Sequence, residues 1–146
     1  METVEITFEV SCTGDHLYFE CWLDGESKIG HVATNNIMPM CVQLEVDNDK
    51  EQQHLLEFVL KDKKPEHTQI DEHGDIVKDS LLKIQNICID ELDLDQIVYA
   101  NAVYQHHCND DNAPLVEEQF FGSMGCNGTV KFEFDTPFYL WYLEHA

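Results

Sequence analysis

The side chains best suited to metal binding are acidic and fall in two stretches, 71–79 and 90–95. Calcium takes about six to eight oxygen ligands, which carboxylates from two neighbouring turns can supply. The spacing does not match an EF-hand loop. We therefore predict at most a weak calcium site, and the alternative is a solvated edge that discourages strand pairing, with Gly74 in a hairpin turn. The candidate ligands are Asp71, Asp75, Asp79, Asp90 and Asp93.

A second candidate site contains His106, His107 and Cys108, with Cys126 further along the chain. Structural zinc sites normally present paired ligands in two closely spaced knuckles, which this arrangement lacks. The alternative is a polar loop with one half-buried thiol. None of the six cysteines forms a C-x-x-C pair, and we expect all of them to be reduced.

Motifs for nucleophilic or metal-dependent catalysis are not found. The sequence contains no nucleophile elbow, no H-E-x-x-H pair and no phosphate-binding glycine loop. The many carboxylates do not single out one acid and base pair. We therefore predict that the protein is not an enzyme.

The C-terminal segment 135–143 is rich in aromatic residues. Thr136 can cap a helix and Pro137 suits its first position, so the sequence predicts a short helical turn. Its aromatic side chains either plug one end of the fold or anchor a partner. The candidate partner-binding residues are Phe138, Tyr139, Trp141 and Tyr142.

The net negative charge of the protein limits the kinds of binding partner that we expect. The 29 carboxylates face eight basic residues, all of them lysines, and the net charge is -21. Phosphate and guanine recognition depend on arginine and local positive charge, so direct nucleic-acid binding is disfavoured. An acidic surface can instead imitate nucleic acid, attract calcium or keep the protein soluble. No run of about 18 apolar residues predicts a membrane span, and we expect no secretion signal.

Apolar and polar residues alternate with a period of two in many segments, as in strands with one buried face. At 146 residues we expect one domain, residues 1–146, with an all-β fold: an antiparallel β-sandwich or jelly roll. Asp24-Gly25 predicts a tight turn. The segment Leu81–Ile89 is apolar on both faces, which predicts a central strand or one with a bulge. The other predicted strands are 4–10, 17–23, 28–32, 40–46, 54–61, 97–104 and 130–134, and a loop is expected at 101–127.

The second two-thirds of the chain resembles small β-sandwich proteins of tailed bacteriophages, particularly those of marine cyanobacteria. Leu56–Lys63, Ile70–Asp79 and Leu82–Asp90 carry the resemblance, together with the ending Asn127–Trp141. It implies a sandwich fold in a viral setting: a non-catalytic virion protein, assembled in the host cytoplasm, that contacts other virion proteins or its own copies.

The strand-loop-strand unit within these ranges is similar, more distantly, to calcium-dependent carbohydrate-binding modules. Those modules often carry an aspartate in the strand pattern Leu-x-Val-Asp-x-Ile, where it helps bind calcium and sugar. The matching run here is 82–87, with Gln85 at the aspartate position, a departure that weakens the calcium and glycan interpretation.

Three functions therefore remain open. The first is a structural or accessory protein of a phage virion, found in the virion and acting through protein contacts. The second is a glycan-binding module supported by calcium. The third is an acidic inhibitor that imitates nucleic acid in the groove of a host enzyme.

Overall fold

The fold is a sandwich of two antiparallel sheets, which confirms the predicted all-β class. A computed structural model describes residues 2–47, 49–63, 68–70, 72–73, 76–107 and 114–145, and only the backbone of 68–70 and 76–79. Both sheets contribute side chains to one hydrophobic core.

The first sheet, sheet A, has β1 near its centre. In spatial order it contains β12 (Ser123–Met124), β8 (Leu81–Ile89), β1 (Glu2–Thr13) and β4 (Met38–Val46), and β9 (Leu92–Asp93) also pairs with β8.

The second sheet, sheet B, has six strands. In spatial order these are β11 (Val116–Gln119), β10 (Val103–His106), β13 (Gly128–Thr136), β5 (Gln52–Lys61), β2 (Leu17–Leu23) and β3 (Glu26–Ala33). The turn between β2 and β3 is the predicted one, because Asp24 and Gly25 both have positive φ, 52° and 82°.

Three shorter features complete the part of the chain that the structure describes. A separate hairpin joins β6 (Thr68–Ile70) to β7 (Ile76–Asp79), and the helices are α1 (Asp95–Asn101) and α2 (Phe138–His145). The strand predicted at 97–104 is wrong over most of its length, since α1 occupies its first five residues and β10 starts only at Val103. The segment predicted to be a loop, 101–127, holds β10, β11 and β12.

The core lies between the sheets, where the period-two alternation places the apolar side chains. In β1 the residues from Val4 to Cys12 alternate between buried and more accessible positions. Phe8 of sheet A meets Phe58 of sheet B edge to face, with ring centroids 5.0 Å apart. This contact ties the two layers together at their middle.

A bulge in β8 explains why both of its faces looked apolar. Pairing with β1 shifts register between Thr7 and Glu9, opposite Cys88 and Gln85, and Asn86 adopts φ 53°. The shift turns Ile87 inward along with Leu82, Ile84 and Ile89, and all four are fully buried. β8 is also an interior strand of sheet A, so both predicted features are present.

Candidate functional site

A groove runs over the solvent face of sheet B beside α2. It is open to solvent and has a volume of about 560 Å³, within the usual range of ligand sites. Four strands supply its floor, and α2 supplies one wall. Its lining is Gln53, Asn101, Val103, Gln105, Glu117, Lys131, Glu133, Asp135, Trp141 and His145.

Strand register brings the floor residues together. Gln53 lies opposite Asp135 across β5 and β13, and Val103 lies opposite Lys131 across β10 and β13. Residues directly opposite in antiparallel strands point to the same face. Because these positions belong to paired strands, the floor is fixed by backbone hydrogen bonds before any ligand arrives.

The wall of the groove is a stacked pair of rings on α2. Trp141 and His145 are one helical turn apart, with ring centroids 4.1 Å apart and planes inclined by 21°. His145 Nδ1 lies 2.8 Å from the Trp141 carbonyl oxygen, so the imidazole donates to it and is held in place. Trp141 packs edge to face on Phe132 at 5.7 Å. The wall is therefore anchored in the core, while His145 is exposed.

Amides and carboxylates alternate along the floor and already bond to one another. Gln53 Nε2 donates to Glu133 Oε2 at 3.2 Å, and Gln105 Nε2 donates to Glu117 Oε1 at 2.8 Å. In each pair, the second carboxylate oxygen and the amide oxygen are further hydrogen-bond acceptors. With the Lys131 ammonium as a donor, the floor suits a ligand that carries several hydroxyl groups.

A second group of side chains lies on the same face of sheet B, and we call it the aromatic patch: Tyr18, Glu20, Trp22 and Lys61. The carboxylate of Glu20 accepts from the Tyr18 hydroxyl at 3.0 Å, from Trp22 Nε1 at 3.0 Å and from Lys61 Nζ at 2.9 Å. Bonding to Lys61 and then to Trp22 lowers the pKa of Glu20. The pKa values of Tyr18 and Lys61 are raised, mainly by the same carboxylate.

A buried network resembles a catalytic triad but cannot act as one. His54 lies 2.7 Å from Asp24 Oδ2 through Nδ1 and 3.0 Å from the Thr136 hydroxyl through Nε2. This is the order of groups that activates a nucleophile. Thr136 is only 1% exposed, however, so no substrate can reach its hydroxyl. The network holds the ends of three strands together.

The calcium candidates fall partly outside the described residues, namely Asp71, Asp75 and the side chain of Asp79. Asp90 Oδ1 accepts the Glu5 N–H and Asp93 Oδ1 accepts the Asp95 N–H, both at 2.9 Å. Within the described ranges, no group of three or more His, Cys, Asp or Glu side chains is placed to hold a metal ion. A calcium site stays a prediction.

The zinc candidates have other partners. His106 Nε2 lies 2.9 Å from Glu118 Oε1, and Cys126 is disulfide-bonded. The expectation that all cysteines are reduced is therefore wrong at Cys126, and a disulfide sulfur is not a thiolate ligand. Cys108 lies outside the described residues. The remaining cysteines, Cys12, Cys21, Cys41 and Cys88, are free.

The aromatic C-terminus divides into a buried and an exposed set. Phe138 and Trp141 belong to the core, and Tyr142 packs against it, which matches the plug alternative. Tyr139 is 62% exposed, and its neighbours Leu140 and Leu143 are exposed as well. Whether this surface binds a partner stays a prediction. The helix starts at Phe138, and Thr136 ends β13 instead of capping it.

Comparison with known proteins concerns the fold. No protein-family model and no curated protein matches the sequence. The chain is similar to a solved carbohydrate-binding module described as vCBM60 in complex with galactobiose, with a TM-score of 0.54 and 9% identity. The similarity covers 88% of this chain and 96% of that one. These comparisons give no support to the phage resemblance. Within the described part, no helix is long and apolar enough to cross a membrane.

Proposed function

We propose that this protein is a non-catalytic carbohydrate-binding domain that holds an uncharged sugar in the groove beside α2. The observation that carries the proposal is the groove itself. The exposed His145 ring, backed by the buried Trp141, stands next to a floor of amides, carboxylates and one lysine. Sugars present apolar ring faces and many hydroxyls, and this combination of surfaces matches both.

The fold supports the same proposal independently of the groove. The solved module with a similar fold was determined with a disaccharide bound. Sandwich folds host many functions, so this likeness raises the expectation of sugar binding without identifying the site. The groove lining supplies the site.

Charge selects the class of sugar. Three carboxylates, Glu117, Glu133 and Asp135, face one ammonium, Lys131, in a protein whose net charge is -21. This potential repels sulfated or uronic-acid sugars and leaves neutral sugars unaffected. Binding should therefore depend little on ionic strength, because no net charge is neutralised.

Calorimetric titration of the full chain with neutral disaccharides, galactobiose among them, tests the proposal. We expect Asp135→Ala and Gln105→Ala each to weaken binding about tenfold, because each removes about 1.5 kcal/mol of hydrogen bonding. Gln43→Ala, on the opposite sheet, is the matched control and should leave affinity unchanged. Absence of binding by every neutral disaccharide, or equal affinity of all three variants, would contradict the proposal.

The virion role stays a prediction based on the sequence resemblance. Its measurement is the presence of the protein in purified phage particles, and a soluble complex with a nuclease or polymerase would instead favour the acidic inhibitor. The lining of the proposed groove contains none of the predicted calcium ligands, so the calcium site stays a separate prediction.

A further inference from the structure

The lining of the groove ends at β5, and the aromatic patch continues the same face of sheet B beyond it. We infer that the two form one binding face for an internal stretch of a neutral polysaccharide, so that the domain binds long chains more tightly than disaccharides. This inference rests on the proposed function and extends it to the length of the ligand.

Strand register connects the two regions in a straight row. Trp22 lies opposite Glu57, Glu57 lies opposite Lys131, and Lys131 lies opposite Val103. All four side chains therefore project from the same face. Trp22 of the patch and Val103 of the groove are three strand spacings apart, or about 14 Å. The full face, from β11 to β3, is about 24 Å wide, which accommodates several sugar rings.

The patch is organised as a contact surface and not as a loose group of exposed rings. The hydroxyl of Tyr18 and the indole N–H of Trp22 both donate to Glu20, so both side chains are oriented toward the centre of the patch. Both are half-buried, so part of each ring faces solvent. Rings fixed in this way lose little conformational freedom when a ligand stacks on them.

Gly30 is part of this arrangement. It lies opposite Glu20 on β3, where a Cβ atom would come within 2.6 Å of the Tyr18 hydroxyl oxygen. The lack of a side chain at Gly30 therefore allows the Tyr18 ring to lie across β3. A methyl group at this position would displace the Tyr18 hydroxyl, which is the movable end of its side chain.

Affinity as a function of chain length tests the inference. The probes are the dimer and the hexamer of galactose, glucose, mannose and xylose, each titrated into the full-length protein. We expect the hexamer of the preferred sugar to bind about tenfold more tightly than its dimer, the effect of one added aromatic anchor.

Variants of the aromatic patch test whether it causes the higher affinity for the hexamer. Trp22→Ala should lower hexamer affinity to that of the dimer without changing dimer affinity, and Gly30→Ala should do so in part. Phe121→Ala, which removes an aromatic ring that is 67% exposed elsewhere, is the control and should change neither. Melting curves establish that each variant is folded, and Gly30→Ala is the milder test if Trp22→Ala does not fold.

The possible failures are distinguishable. If the dimer and the hexamer bind with equal affinity, and Trp22→Ala and Gly30→Ala leave both affinities unchanged, the extended binding face is refuted. Sugar binding in the groove would still stand. Absence of binding by all eight sugars would overturn the proposed function and this inference with it.

Discussion

His54 Nδ1 lies 2.7 Å from Asp24 Oδ2, and the other oxygen of Asp24 accepts the Leu55 N–H at 2.8 Å. The Asp24 side chain, in the turn between β2 and β3, therefore provides a hydrogen-bond partner both for a buried ring and for the backbone of β5. His54 is buried, and its second nitrogen is bonded to Thr136 of β13. The contact links the turn after β2 to β5 and β13, two neighbouring interior strands of sheet B.

We predict that Asp24→Ala lowers the free energy of unfolding by about 2–3 kcal/mol, because it leaves the buried His54 ring without its carboxylate partner. Asp24→Asn should cost less, since asparagine keeps an acceptor and tolerates the positive φ of 52°. Urea unfolding provides the measurement, and Glu45→Ala on the exposed face of β4 is the control. Equal stability of Asp24→Ala and this control would refute the structural role.

Replacing a buried aromatic residue of α2 should lower stability, whereas replacing an exposed one should not. Trp141 is 7% exposed and contacts Phe132, so Trp141→Ala should lower stability by about 3–5 kcal/mol. Tyr139→Ala should change stability by less than about 0.5 kcal/mol, because its ring lies in solvent. Thermal melting compares the two.

Tyr139→Ala also tests the predicted partner-binding role of the C-terminus. If the exposed part of α2 is an interface, the variant should remain folded and lose association with its own copies or with phage particles. Co-sedimentation and analytical ultracentrifugation measure this. If the variant is stable and associates as the unaltered protein does, Tyr139 is not part of an interface.

The predicted calcium site requires a specific response to the metal. Binding to the native state alone raises the melting temperature by mass action, so we expect millimolar calcium to raise it more than magnesium does. Asp75→Asn should abolish the difference, and Asp49→Asn, outside the predicted ligand set, should not. Equal shifts with the two metals indicate charge screening and argue against a site.

Glu20 gives the aromatic patch a defined dependence on pH. Its bonds to Lys61 and Trp22 hold its pKa below the usual 4.5. Since the pKa is lower in the folded state, the stabilisation is complete above the unfolded value and is lost as pH falls through the folded one. Carbon-detected NMR should show a Glu20 midpoint below 4.5, and Lys61→Met should raise it. A midpoint unchanged by Lys61→Met would contradict the network.

Much of the fold follows from alternation alone. Residues 4–10 and 54–61 alternate regularly, and both lie within strands that bury one face. The strand prediction for residues 97–104 is wrong because Ile97, Val98 and Tyr99 are compatible with strand and helix alike, and short apolar runs do not distinguish the two. In β8 a single bulge at Asn86 places Ile87 and Cys88 on the opposite faces to those expected from uninterrupted alternation.

The candidate site is harder to derive from the sequence. Gln53, Gln105 and Asp135 are separated by many residues, and only the register of β5, β13 and β10 brings their neighbourhoods together. The signal that exists is the polar half of each alternating strand. Without the strand order, such residues cannot be distinguished from those of an ordinary solvent-exposed face. The triad-like contact at His54 was missed for the same reason.

Sugar binding on sheet B is tested most directly by a map of backbone amide shifts during titration with a neutral oligosaccharide hexamer. We expect the shifting residues to lie on the solvent face of sheet B, at Gln53, Val103, Lys131 and Trp22, while the exposed face of sheet A, including Gln43, stays unchanged. Shifts confined to sheet A or to the acidic turn at Asp90, or no shifts with any neutral hexamer, would contradict it.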